Sequence, residues 1–272
     1  MPKDINAGIL VQSFKVAGPR KVPKFREFIR SSSNKKSLLL FLTNYFLNEA
    51  QNLLNEDETL IIAGGFENPE LCYKLNKSEV PTKMDHLSSN QEEADTRIIL
   101  HVLTEKNIVN NILIKSVDTD VLLLLTYYFT VTPEMAKCNV FLQFGQSKNK
   151  HFLSINNIAS NLGEDVCKKL LSIHCLTGCD TTCALFKIGK KTAFDILYKN
   201  IDALKGLENL PFLPEDEAIN LSQLYVLYLY KNKNANIKTL NELGVHLTKE
   251  SNRSASELPP TNDAFKQHLK RY

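Results

Sequence analysis

Acidic residues in the middle of the chain fall at the ends of predicted secondary-structure elements. Asp118 and Asp120 directly follow an apolar run, Ile112–Val117, that is typical of a buried strand. Because residues i and i+2 of an extended chain point to the same side, both carboxylates can face one point. The carboxyl ends of strands are where open α/β sheets bind their ligands. This spacing therefore indicates a site at the end of the strand.

Further acids lie at two other element ends. Glu92, Glu93 and Asp95 open a predicted helix, and Asp180 lies in a Gly-Cys-Asp break after another apolar helix. Carboxylates that share one cleft repel each other, and a hard divalent cation such as Mg²⁺ relieves that repulsion. Two such ions can activate a water and stabilise the leaving oxygen in phosphodiester cleavage. The alternative for Asp118–Asp120 is a turn that caps a helix, and the pair taken alone favours that alternative.

A segment of glycine and lysines precedes another predicted helix. Lys187–Ala193 reads Lys-Ile-Gly-Lys-Lys-Thr-Ala. A glycine at a helix start leaves backbone N–H groups available to a phosphate, and lysines add positive charge. Such contacts hold a nucleic-acid backbone without reading its bases. The alternative is a capped helix with solvated lysines, and the segment taken alone favours it.

The elements that must position these residues alternate between strands and helices. This order favours an α/β core with a mainly parallel sheet. From Asn156 onward the pattern is helical nearly to the end, and a loop is predicted over Asn76–Asn90. The predicted helices are Lys35–Leu54, Glu92–Lys106 and Val121–Tyr128. The predicted strands are Leu60–Ala63, Asn111–Val117, Asn139–Phe144 and His151–Ile155.

Composition excludes several classes of protein. The chain has 272 residues, 43% of them apolar, and a formal net charge of +3, which suits one large domain or two small ones. The longest apolar stretch is too short to cross a bilayer, so no membrane partner is expected. Six cysteines are too few for a disulfide scaffold of this size and indicate an intracellular protein with reduced thiols. The spacing of His174, Cys175, Cys179 and Cys183 lacks the Cys-x2-Cys pairs of structural zinc sites and favours core cysteines.

Four motifs, taken in order, resemble those of the flap-endonuclease/XPG-type structure-specific nucleases, which belong to the wider PIN-like fold. That family has Glu-Ala-Glu-Ala at a helix start and a strand that ends in Ser-x-Asp-x-Asp. Leu-Leu-Gly-x-Asp and then Gly-Ile-Gly-Pro-Lys-x-Ala follow. The corresponding segments here are Glu93–Thr96, Ser116–Asp120, Leu176–Asp180 and Lys187–Ala193. The resemblance covers roughly residues 90–200.

The resemblance implies a three-layer PIN-like core with a mainly parallel central sheet, a helix–turn–helix and a helical C-terminal extension. It divides the chain into an N-terminal helical and partial core segment (1–90), a nuclease core with the helix–turn–helix (91–200) and the extension (201–272). The implied catalytic and metal-binding residues are Glu93, Asp95, Asp118, Asp120 and Asp180, which would hold one or two Mg²⁺ or Mn²⁺ ions. The implied contacts to nucleic-acid phosphates are Gly189, Lys190 and Lys191, with K⁺ at the helix–turn–helix. The expected activity is metal-dependent cleavage of branched or single-stranded nucleic acid, DNA rather than RNA.

Departures from the family pattern leave an alternative open. Lys187 and Lys190 stand where the family has its first glycine and its proline. Nothing before the Glu93 helix matches two further family aspartates, so we expect the chain to be N-terminally incomplete. The alternative function is a catalytically inactive PIN-like module that binds nucleic acid or protein.

Two further expectations follow from the sequence. It is similar to a group of uncharacterised, often mobile-element-associated animal proteins around Ala63–Phe66, Glu92–His101 and Leu258–Thr261. That similarity implies no particular chemistry. A nuclease that acts on DNA implies a nuclear location, for which the sequence shows no clear targeting signal.

Overall fold

The computed structural model describes residues 15–18, 21, 24–91, 93–145, 149–231, 234, 236–250 and 254–271. The chain divides into two units, Met1–His101 and Val102–Tyr272. The boundary falls inside helix α3, which is Ala94–Glu105. Each unit has its own helices and a three-stranded sheet, so the predicted α/β class is confirmed.

The first unit combines a long helix with an antiparallel sheet. The side chain of Ser31 caps the long helix by accepting a hydrogen bond from the backbone N–H of Asn34. Before α3, its elements are α1 (Phe25–Phe28), α2 (Ser32–Leu53), β1 (Leu60–Ala63), β2 (Cys72–Leu75) and β3 (Thr82–Lys83), with strand order β1-β2-β3. The helix predicted over 35–54 and the strand predicted over 60–63 are confirmed.

The loop predicted over residues 76–90 is wrong in part. Thr82 pairs with Lys74, and Lys83 pairs with Tyr73, so β3 extends the sheet inside that segment. A short 3-10 helix, Asp85–Leu87, follows it. Two exposed polar residues carry no alternating apolar pattern, so this strand depends on its partner and not on local sequence.

The sheet of the second unit carries one of the predicted motifs at its edge. Its strands are β4 (Asn111–Lys115), β5 (Asn139–Phe144) and β6 (His151–Ser154), in the order β4-β5-β6. Helix α4 (Thr119–Val131) connects β4 to the parallel strand β5, whereas β6 runs antiparallel to β5. The expected mainly parallel sheet is therefore not seen in the described strands. The turn between β5 and β6 is too short to permit a parallel crossover.

The two faces of this sheet differ in exposure. Ile114, Val140 and Leu142 are buried, and α5 (Ile155–Leu162) packs against β5. The opposite face exposes Leu113 and Phe152, at 50% and 61%. Because side chains alternate across a strand, one face is covered and the other is open to solvent.

Helices α6 to α10 share one apolar core in the second unit. Within this core the buried hydroxyl of Tyr225 donates a hydrogen bond to the backbone carbonyl of Ala193 at 2.9 Å, and burial raises the pKa of that tyrosine. The helices are α6 (Glu164–Leu176), α7 (Lys190–Lys199), α8 (Glu215–Leu229), α9 (Leu240–Glu250) and α10 (Asn262–Leu269). Residues 201–272, which the sequence separates from 91–200, contribute to the same core as α6 and α7. No helix in the described part of the chain is long and apolar enough to cross a bilayer.

Candidate functional site

The Asp-x-Asp motif sits where β4 gives way to α4. Asp118 is the N-cap of α4, and its Oδ1 accepts a hydrogen bond from the backbone N–H of Asp120 at 2.9 Å. The extended path ends at Asp118 because Thr119 is already helical. The structure therefore places the pair as a turn and helix cap, the alternative weighed above, with the Asp118 side chain exposed to solvent.

Asp120 connects this strand end to the end of α6. Its Oδ2 lies 3.2 Å from Nε2 of His174, which is in the last turn of α6. The Asp120 side chain is 30% exposed and that of His174 is 12% exposed. The two atoms are within ion-pair distance, but they are not aligned as a hydrogen bond. The start of α4 and the end of α6, which lie far apart along the chain, are thus neighbours in space.

The turn after α6 presents Asp180 to solvent. Gly178 opens the turn with φ +105° and packs against Ala184. The hydroxyl of Thr182 closes the turn, because it donates to the Cys175 carbonyl at 2.7 Å and accepts from the Cys179 N–H at 3.0 Å. The exposed Asp180 lies inside this closed loop, so its carboxylate can reach a ligand.

Lys190 closes the end of α6. Its ammonium donates to the backbone carbonyl of His174 at 2.7 Å, to the Thr177 hydroxyl at 3.2 Å and to the carbonyl of Gly178. Burial lowers the pKa of Lys190, and the nearby Cys179 and Asp120 oppose that effect. A lysine at a helix C-terminus satisfies carbonyls that have no partner within the helix. All three ammonium hydrogens donate to groups of the chain itself, so a phosphate would compete with these acceptors for Lys190.

Three other residues of the Lys187–Ala193 segment are exposed to solvent: Lys187, Gly189 and Lys191. Lys187 has φ +60°, a left-handed conformation that glycine adopts more easily, and the family glycine stands at this position. Gly189 is the N-cap of α7 and has no side chain to bond the first-turn N–H groups. The Lys191 side chain is 88% exposed and pairs with Asp195 at 2.8 Å. Gly189 and Lys191 are therefore placed where a phosphate can reach them.

Two cysteines complete this region. Burial raises the pKa of Cys175 to about 12, and the neighbouring Cys179 adds to the rise. Burial also acts to raise the pKa of Cys179, but hydrogen bonds from Thr181 and Thr182 outweigh it and leave the pKa below its ordinary value. Thr181 and Thr182 each place a hydroxyl oxygen 3.2 Å from the Cys179 sulfur.

The predicted acids before β4 lie in the first unit. Glu93 precedes α3 and is exposed, and its carbonyl accepts a hydrogen bond from the Thr96 hydroxyl at 3.0 Å. Asp95 lies in the first turn of α3 and is half-buried. Glu92 lies outside the described residues. Of the predicted carboxylates, Asp118, Asp120 and Asp180 belong to the second unit.

The described carboxylates of the second unit do not form a closed metal cage. Among the described residues, no group of three or more His, Cys, Asp or Glu side chains is arranged to hold a metal ion. Mg²⁺ is commonly held by one or two carboxylates and several waters. Asp118 is exposed, and Asp120 is partly so, so solvent reaches both carboxylates.

The sequence motifs did not identify His174 as a partner of Asp120 or Lys190 as the cap of α6. The sequence around Lys190 gave no sign of its capping role, because that role depends on the fold. Comparison with protein-family models, curated proteins and solved structures finds no match to this chain. The flap-endonuclease resemblance therefore rests on the sequence motifs alone.

Proposed function

We propose that this chain is a divalent-metal-dependent phosphodiesterase of the PIN-like, flap-endonuclease type that acts on branched or single-stranded nucleic acid. The single observation that carries the proposal is the contact between Asp120 and His174, 3.2 Å from Oδ2 to Nε2. It joins the Ser-x-Asp-x-Asp strand end to the last turn of α6, the helix that precedes the turn with Asp180. In the family that the motifs resemble, these two segments serve one site.

The position of Asp118 and Asp120 also supports the proposal. They follow the carboxyl end of β4, which is parallel to β5, and ligands of α/β sheets bind at such ends.

The three-layer PIN-like core is part of the proposal. In such a core a second helical layer would cover the sheet face that here exposes Leu113 and Phe152.

The metal-binding part of the proposal is restricted to the second unit. Asp118 and Asp120 would hold one hydrated Mg²⁺ or Mn²⁺ ion, and Asp180 would contribute to a second, so that no ion needs three of these side chains. Such ions polarise a phosphoryl oxygen and lower the pKa of a water. His174 would orient the carboxylate of Asp120, and the ammonium of Lys190 would fix the turn that carries Asp180 by holding the Gly178 carbonyl.

The nucleic-acid part of the proposal assigns different work to neighbouring lysines. The N–H groups at Gly189 and the exposed ammonium of Lys191 would hold a backbone phosphate. Lys190 would position these groups without touching the phosphate. K⁺ at the helix–turn–helix, implied by the resemblance, is proposed with them. Binding carried by such contacts falls steeply as salt concentration rises.

A second candidate is a catalytically inactive PIN-like module that binds nucleic acid or protein. One observation favours it. Asp118 uses one oxygen to cap α4, and Asp120 faces His174. Side chains engaged in this way can stabilise the fold without holding a metal.

Cleavage of a labelled 5′-flap DNA in Mn²⁺ distinguishes the two candidates. We expect cleavage by the wild-type chain and a loss of at least about a hundredfold in the Asp118→Asn/Asp120→Asn variant, because even the loss of a partner that only orients a metal ligand costs about 10–100-fold. Asparagine caps helices as well as aspartate does, so the variant should keep its fold, which circular dichroism checks. Salt-sensitive binding without cleavage in both proteins would support the inactive module. If the chain neither cleaves nor binds this DNA, the result would contradict both the nuclease and a module that binds nucleic acid.

A further inference from the structure

We propose that Phe186 is a stacking site for an unpaired base, so that the nucleic acid held by the second unit is single-stranded at this point. The inference rests on the proposed function, because its ligand is the strand whose phosphates Gly189 and Lys191 would hold. It adds a choice of substrate form that those contacts do not make, since single strands and duplexes both carry phosphates.

Phe186 presents an aromatic ring close to the phosphate contacts. It is 46% exposed, and it lies three residues before Gly189, the N-cap of α7. Three residues of chain span at most about 11 Å. A strand with one phosphate at Gly189 can therefore place a nearby base on the Phe186 ring.

One face of the Phe186 ring is already in use. The Lys187 ammonium lies over the ring, 5.1 Å from its centroid, and it pairs with Oε1 of Glu257 at 2.6 Å. The other carboxylate oxygen of Glu257 accepts a hydrogen bond from the Ser254 N–H at 3.3 Å. This ion pair keeps a positive charge over one face of the ring, so a base would stack on the opposite face.

Phe186 lines two cavities, which have volumes of about 450 and 340 Å³. Tyr230 lines both as well, so the cavities are neighbours. The larger one is also lined by Leu258 and Pro260, which give a flat ring apolar surface to pack against. Its volume is in the range of small-ligand pockets. The larger cavity is therefore the place for a base that stacks on Phe186.

The charge around the two cavities favours an anionic ligand. Among the described residues that line them, Lys187, Lys231 and Arg271 are positive and Glu257 is negative. Lys231 and Arg271 are exposed to solvent. Positive charge that follows the backbone, combined with an aromatic ring that stacks a base, is how proteins hold single strands. An acidic peptide would use the charges but gives no reason for the exposed ring.

A single introduced tryptophan tests the proposal directly. The chain contains no tryptophan, so Phe186→Trp carries the only indole, and a base that stacks on it quenches its fluorescence. The probe is a short oligothymidylate in the presence of EDTA, which separates binding from cleavage. We expect saturable quenching by this strand. We expect none by an abasic strand of the same length, which has the phosphates without the bases.

Phe212→Trp is the matched control. Phe212 is 86% exposed and is not among the residues that line the two cavities. We expect the oligothymidylate to leave the fluorescence of this variant unchanged. Equal quenching in the two variants would show that the strand has no preferred ring and would overturn the proposal.

The affinity for labelled oligothymidylate, measured by fluorescence anisotropy, is a second readout. We expect Phe186→Ala to bind about 5–30-fold more weakly than the wild type, the loss that corresponds to one stacked base. We expect Phe186→Tyr, which keeps an aromatic ring, and Phe212→Ala to bind as the wild type does. Circular dichroism checks that each variant is folded.

These measurements distinguish failure of the stacking site from failure of the proposed function. Binding without quenching of Phe186→Trp, or equal affinity in Phe186→Ala and the wild type, would overturn the stacking site and leave the phosphate contacts standing. Quenching without cleavage in Mn²⁺ would support the stacking site and count against the nuclease. Binding of polyglutamate as tight as that of the oligothymidylate would overturn the assignment to nucleic acid, and no binding of the oligothymidylate would overturn both proposals.

Discussion

Replacing Gly178 with alanine is expected to lower the free energy of unfolding by about 4 kcal/mol, because strain and collision add at this position. Gly178 has φ +105°, a conformation that L residues rarely adopt. A Cβ there would lie 2.4 Å from the Cα and 2.6 Å from the N of Ala184. Both are backbone atoms, so the turn that carries Asp180 would have to move to make room.

Gly163→Ala is the matched control for that experiment. Gly163 also has a positive φ, +80°, but nothing lies within 4 Å of where its Cβ would be. We expect this variant to lose about 2 kcal/mol, the conformational cost alone. Urea denaturation of the three proteins measures the difference. Equal losses in the two variants would show that Gly178 does not pack closely against Ala184.

Replacing Lys190 with methionine is expected to lower the free energy of unfolding by about 2 kcal/mol, since hydrogen bonds from a charged donor are among the stronger ones in proteins. The variant would leave the carbonyls of His174 and Gly178 without the donor that now holds them. Lys190 as a whole is exposed, so water replaces part of what is lost. Methionine keeps the length and flexibility of the stem and removes only the ammonium.

Lys191→Met is the control for Lys190→Met. We expect Lys190→Met to lower stability and Lys191→Met to weaken nucleic-acid binding. The Lys191 side chain is 88% exposed, so its replacement should change stability by less than about 0.5 kcal/mol. It should nevertheless weaken nucleic-acid binding and reduce the salt dependence by about one phosphate contact. If Lys190→Met weakened binding without loss of stability, Lys190 would be the phosphate contact and not the cap of α6.

Local sequence patterns predicted the elements that are long or strongly apolar. The run Leu60–Ala63 and the hairpin of Asn139–Phe144 with His151–Ser154 are strands as expected, because apolar residues and turn residues mark them. The break at Gly178 was also readable, since glycine has no Cβ to oppose a positive φ. These features depend on residues close together in the chain.

Other features depend on partners that local sequence does not reveal. Thr82–Lys83 is a strand only because β2 lies beside it. Lys169 has a fully buried side chain that pairs with Asp165 and with Glu208, the latter at 3.0 Å. A lysine gives no sign of burial until its partners are known.

The candidate site shows the same division between local and non-local information. The carboxylates stood out because Asp118 and Asp120 end a strand and Asp180 lies in a glycine turn. The Asp120–His174 contact and the capping role of Lys190 could not be predicted, because both join segments that only the fold brings together. The capping role of Asp118 was among the alternatives that the sequence offered.

The central claim is that Asp118 and Asp120 hold the metal ion of a phosphodiesterase. Mn²⁺ binding to the intact chain, followed by electron paramagnetic resonance, tests it most directly. We predict saturable binding by the wild type and binding weaker by at least about tenfold in Asp118→Asn/Asp120→Asn. Asp195→Asn, which changes only a carboxylate paired with the exposed Lys191, should bind Mn²⁺ as the wild type does. Equal affinity in the wild type and the double variant would contradict the claim.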